Sequence, residues 1–161
     1  MAQIDRHALH VRAQKLALRG LIQGDVIGDI EGSVASTEVR GAFTPDVALL
    51  ELAVAALTVS GASFDDPIDY EGLRERYLPE VQFRGKSEHR NSQYALYAAA
   101  AMRGGVRPDL MNDAGWWSTR LWVYALYAVV ILARAAADRR GSDLPTIARE
   151  VAALVDVTPE S

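Results

Sequence analysis

Tyr94-Ala95-Leu96-Tyr97-Ala98 returns thirty residues later as Tyr124-Ala125-Leu126-Tyr127-Ala128, each time inside a long run without turn residues. Residues three and four apart share one helical face, so the two tyrosines of each copy fall on a single stripe. The alanines beside them leave room for a second backbone to come close. Two copies do not make a solenoid, since stacked repeats need three or more units. The repeat therefore predicts helices near 87–103 and 118–139 as closely packed core elements.

A third central helix is predicted at 44–60. Thr44-Pro45-Asp46 supplies a hydroxyl cap, a proline at the first helical position and an acid near the positive end of the dipole. Its body carries one charge, Glu51, on an otherwise apolar cylinder that Gly61 stops. Such a helix belongs in the middle of a fold.

Residues 4–22 read as a first helix, with Leu9, Ala13, Leu16 and Ala17 on one side and Arg12, Lys15 and Arg19 on another. Asp69 caps a short helix through Tyr77, and Ser87 caps the helix that reaches Met102. Ser142 or Asp143 caps a last helix whose Ile147, Val151, Leu154 and Val155 form one face. Residues 24–43 hold Gly24, Gly28, Gly32 and Gly41 and show no period. A structureless stretch this long is uncommon, so it hides a short strand pair, a helical turn near 33–40, or a functional loop. The expectation is one all-α domain over 1–161, an orthogonal, bundle-like array of about six helices around alanine-rich central ones.

Composition narrows function. Of 161 residues, half are hydrophobic and 24% charged, as in an ordinary globule that buries roughly two-thirds of its unfolded surface. The absence of cysteine excludes disulfides and thiolate chemistry and fits a cytoplasmic location. The N-terminus meets charges at once and lacks the apolar core of a signal peptide. The 13 residues between Arg120 and Arg134 are the most apolar run. As a helix they would span about 20 Å, short of the roughly 30 Å hydrocarbon layer, so no membrane span is expected. The net charge of −4 gives nucleic-acid binding no global support, and the Arg12, Lys15, Arg19 face lacks a recognition-helix signature. Charge is polarised along the chain: residues 62–83 sum to −4 and 84–107 to +4. The polarity implies two solvated faces that neutralise each other, or a surface for an acidic protein partner or an anionic small molecule.

Candidate residues follow from local chemistry. Arg84-Gly85-Lys86-Ser87 precedes a helix whose free amides favour an anion, with His89 close behind. A phosphate loop would need a glycine where Glu80 stands, so that motif fails. His7 and His10, three apart on a helix, have the spacing to share a metal. Glu51 must reach water or a cation. Arg120 and Arg134 are its expected partners in a buried ion pair. Trp116 and Trp117 point to different sides near a helix end, where tryptophan often anchors interfaces.

Gly20-Leu21-Ile22-Gln23-Gly24-Asp25-Val26-Ile27-Gly28 is similar to the N-terminal Gly-x-x-x-Gly-Asp-x-x-Gly segment of ADP-ribosylglycohydrolases. That resemblance implies an all-helical fold and a site for two magnesium ions. The family's Thr-Asp-Asp-Thr motif would correspond here to Thr44-Pro45-Asp46-Val47, which keeps two of four positions. The activity is therefore not carried over, and Asp25, Thr44 and Asp46 are positions to inspect for a metal.

No catalytic constellation emerges, and no cofactor is expected. The sequence reading is a non-catalytic binding protein, homodimeric through helix 118–139 and its alanine-rich neighbours. The alternative is an enzyme or sensor that takes a phosphorylated or otherwise anionic small molecule at the Arg84–Ser87 helix terminus.

Overall fold

A computed structural model describes residues 3–61, 69–82, 85–105 and 121–159. Among them are seven α-helices: α1 (Arg6–Gln23), α2 (Ile27–Ala35), α3 (Asp46–Ser60), α4 (Tyr70–Tyr77), α5 (Lys86–Arg103), α6 (Leu121–Arg140) and α7 (Leu144–Leu154). No helix of the described residues is long and apolar enough to cross a membrane.

α3 and α6 form the most extensive interface, and α5 packs on both. The three helices expected at the centre are there. On α6, Trp122, Leu126, Val129, Val130, Ile131 and Ala133 are fully buried; on α3, Leu49, Leu52, Ala53, Ala56 and Leu57 are too. Each fully buried leucine contributes about 2 kcal/mol of hydrophobic stabilisation relative to exposure. α7 and α1 cover α3, α2 lies on α1, and α4 closes against α6. This enclosure bears on the surface expected for a dimer. Among the described residues, the apolar part of α6 is mostly covered by its own chain.

The repeat is oriented differently from its tyrosine stripe. Ala95, Leu96, Ala98 and Ala125, Leu126, Ala128 are the buried members. Tyr94, Tyr124 and Tyr127 are half-buried at the margin, and Tyr97 is 40% exposed. Small residues let α5 and α6 approach, while the margin gives each phenol access to a polar partner.

Aspartate caps explain three of the helix starts. The side chains of Asp5, Asp69 and Asp143 accept from the amides of Ala8, Gly72 and Thr146. At α5 the expected Ser87 cap gives way to Gly85, whose extended backbone starts the helix at Lys86 without a side-chain cap. At α3 the helix begins at Asp46 with Pro45 as its cap residue, one position later than the motif suggested. The glycine-rich stretch holds α2, followed by a single bridge between Val39 and Phe43. Gly20 is what lets α2 pack: a Cβ there would stand 2.5 Å from Ile30 Cγ1.

α7 departs from its expected face. Ile147, Ala148, Val151 and Ala152 are buried, whereas Leu154 is 56% exposed. The helix ends in a Schellman turn: Val157 N–H donates to Ala152 O at 3.0 Å and Asp156 N–H to Ala153 O at 3.3 Å. Asp156 takes the left-handed position at φ 55°, one that aspartate tolerates better than most residues. This turn directs Val155, Asp156 and Val157 back over α3.

Candidate functional site

α3 leaves one narrow stripe uncovered. Val47, Glu51, Val54 and Thr58 follow the four-three-four spacing of a single helical face, and none is buried. Two grooves run along it. The larger, about 680 Å³, lies between α1 and the C-terminal turn, with His7, His10, Gln14, Thr44, Val47 and Asp156 among its lining residues. The smaller, about 420 Å³, is bounded by Val54, Ala55 and Thr58 of α3, Met102 of α5, and Leu154 and Val155. Glu51 and Val155 line both.

The Glu51 carboxylate is held from one side. His10 Nε2 lies 2.8 Å from Oε2, and Gln14 Nε2 donates to the same oxygen at 3.1 Å. As a carboxylate Glu51 can only accept, so the proton of the His10 bond sits on Nε2. Gln14 is 2% exposed and also donates to Ala48 O at 3.1 Å. Its amide thus ties α1 to the α3 backbone and to the carboxylate together. Oε1 accepts no hydrogen bond among the described residues. Nearby, burial pushes the Asp46 carboxyl above the usual range, opposed by a hydrogen bond from Thr44.

Arg134 and Glu51 do not form the expected ion pair. Arg134 Nη1 donates to Tyr77 O and to Glu80 Oε1, each at 2.7 Å, on the α4 side of α6. Glu51 faces α1 instead, and its side chain is half-exposed rather than buried. Asp138 beside them accepts from Arg76 and from the Tyr77 hydroxyl, each at 2.7 Å. Of the acidic segment, Glu80 is thus paired with Arg134 of α6, while its own Arg76 is taken by Asp138.

Trp116, Trp117, Arg120 and Arg84 lie outside the described residues. Lys86 is exposed at the first position of α5; Ser87 and His89 belong to the same first turns. His7 and His10 do line one groove, with His10 engaged by Glu51. No three His, Asp or Glu residues among those described are arranged to hold a metal ion. Of the positions to inspect, Thr44 hydrogen-bonds the Asp46 carboxyl.

The groove residues missed from the sequence are His10 and Gln14 as partners of Glu51, and Asp156 and Leu154 on the rim. A signal existed for the first two. They stand four apart, on one face of α1, which offers paired donors to a lone acid on an apolar helix.

A second polar cluster lies away from the grooves. Tyr127 OH donates to Glu31 Oε1 at 2.8 Å, and Tyr124 meets the Tyr127 ring edge-on at 6.1 Å. Burial pushes the Tyr70 phenol up to about 12, against a hydrogen bond with Ser92. Burial and the Glu31 bond also raise Tyr127. Tyr127 is here a structural donor to Glu31.

No protein-family model, curated protein or solved structure gives a significant match to the chain.

Proposed function

We propose that the chain is a non-catalytic binding protein whose recognition surface is the open stripe of α3. One observation carries this reading: Glu51, fixed through Oε2 by His10 and Gln14, stands where two grooves meet, with Oε1 uncommitted among the described residues. A few convergent polar groups against apolar walls are the usual make-up of a small-ligand site. Val47 and Leu154, 48% and 56% exposed, supply apolar rim on either side. The dimer expected from the sequence is a separate proposal and forms no part of this reading.

A fragment screen followed by amide NMR tests the proposal. Hits should displace resonances of Val47, Glu51, Val54, Thr58 and Leu154 together. Hits that gather on another face, or scatter, contradict it.

Anion binding at the start of α5 stays as a second reading, favoured by one feature. Gly85 brings no capping side chain to the first-turn amides, and Lys86 is exposed beside them. Glu88 in the same turn opposes it. Inorganic phosphate should perturb the Lys86–His89 amides saturably, and less so after Lys86→Ala. Equal effects in both proteins remove this reading.

A further inference from the structure

Resting on the groove reading above, we propose that Glu51 selects an organic cation, a primary ammonium group carrying an apolar tail. The carboxylate fixes the head group and the smaller groove takes the tail. Among the described residues lining that groove Glu51 is the one charged group, and the others are Val54, Ala55, Thr58, Met102, Leu154 and Val155. An anion placed there would face a carboxylate with no cation among the described lining residues. A neutral molecule could offer the uncommitted oxygen a hydrogen bond but no compensating charge.

An ammonium group satisfies that oxygen by charge and by hydrogen bonding at once. From Glu51 to Thr58 the stripe advances about 10 Å, the length of a short alkyl chain. The remaining charges, Arg6, His7 and Asp156, line the larger groove on the other side of Glu51. The apolar tail thus has the less polar of the two grooves to enter. His10 and Gln14 orient the carboxylate, so they are positioning residues and need not touch the ligand.

The probes are hexylammonium, hexanol, hexanoate and methylammonium, each titrated at neutral pH against the full chain by amide NMR. Hexylammonium should shift Val54, Thr58 and Leu154 saturably, hexanol more weakly, and hexanoate not at all. Glu51→Gln keeps the shape and removes the charge, and should weaken hexylammonium about fivefold, as loss of a half-exposed ion pair does. Leu154→Ala, at an exposed position, should weaken hexylammonium but leave methylammonium unchanged.

Equal binding of hexylammonium and hexanol, or an unchanged affinity in Glu51→Gln, overturns the cation assignment and leaves the groove as a recognition surface. Failure of all four probes at the stripe overturns the assignment too, and the fragment map then judges the groove by itself.

Discussion

His10 on α1 and Glu51 on α3 meet at 2.8 Å across 41 residues of sequence, and Gln14 reaches the same carboxylate oxygen from one turn further along α1. A lone acid on an apolar helix thus gains two donors from one neighbouring helix, and α1 is set in register against α3. The contact that shapes the groove wall is also one that joins the two helices.

The two donors should differ in weight. Gln14 is buried and satisfies both the Glu51 carboxylate and the Ala48 carbonyl, so Gln14→Ala should cost about 1–3 kcal/mol. His10 is partly exposed and meets a half-exposed partner, so His10→Ala should cost about 1 kcal/mol or less. Urea unfolding of both variants checks the order. A larger loss for His10→Ala contradicts this assignment of the contacts.

Alkaline unfolding should depend on tyrosine. The folded chain holds the Tyr70 proton up to about 12, while the unfolded chain releases it near the ordinary tyrosine value of 10.0. Above pH 10 the unfolded state therefore loses protons first, and stability falls as pH rises toward 12. Tyr70 alone accounts for roughly 3 kcal/mol at most. Tyr127, raised by burial, and Tyr77, raised by its bond to Asp138, act in the same direction. Denaturant midpoints between pH 9 and 12 should drop more shallowly in Tyr70→Phe than in the parent. Parallel curves contradict the burial of that phenol.

Gly20→Ala should destabilise although alanine is the better helix former. The new methyl meets Ile30 Cγ1 at 2.5 Å, and Ile30 is itself buried, so the α1–α2 contact must open. Overpacking of this kind costs about 1–3 kcal/mol against a propensity gain of about 1. Adding Ile30→Ala to Gly20→Ala should then cost less than Ile30→Ala costs alone. A Gly20→Ala protein more stable than the parent contradicts the close approach.

The repeat provides an internal comparison. Leu96→Ala and Leu126→Ala should each cost about 2–5 kcal/mol, because both leucines are fully buried. Tyr97→Ala, at the exposed margin, should change stability by about 0.5 kcal/mol or less. Similar losses at all three positions contradict the observed facing of α5 and α6.

Local signals in the sequence carried far toward the fold. Glu51 alone in the body of 46–60 marked α3 as central, Asp69 and Asp143 marked two helix starts, and Gly61 and Gly141 marked two ends. α2 was hidden because Gly28 and Gly32 interrupt its pattern, although both sit where a side chain would meet open space. Leu154 read as core because it shares the period of Ile147 and Val151. The Schellman turn instead ends the helix there and leaves it on the groove rim. The site was legible only as one misplaced charge. Its partners lie on another helix, and periodicity within α3 cannot say which neighbour arrives opposite Glu51.

Observing the Glu51 side chain itself under ligand gives the most direct test. With glutamate carboxyl carbons labelled and the Glu51 signal assigned through Glu51→Gln, fragments that move the α3 stripe should move that carboxyl signal saturably and with the same midpoint. A Glu51 carboxyl that stays fixed while ligands saturate another surface of the protein contradicts recognition at this site.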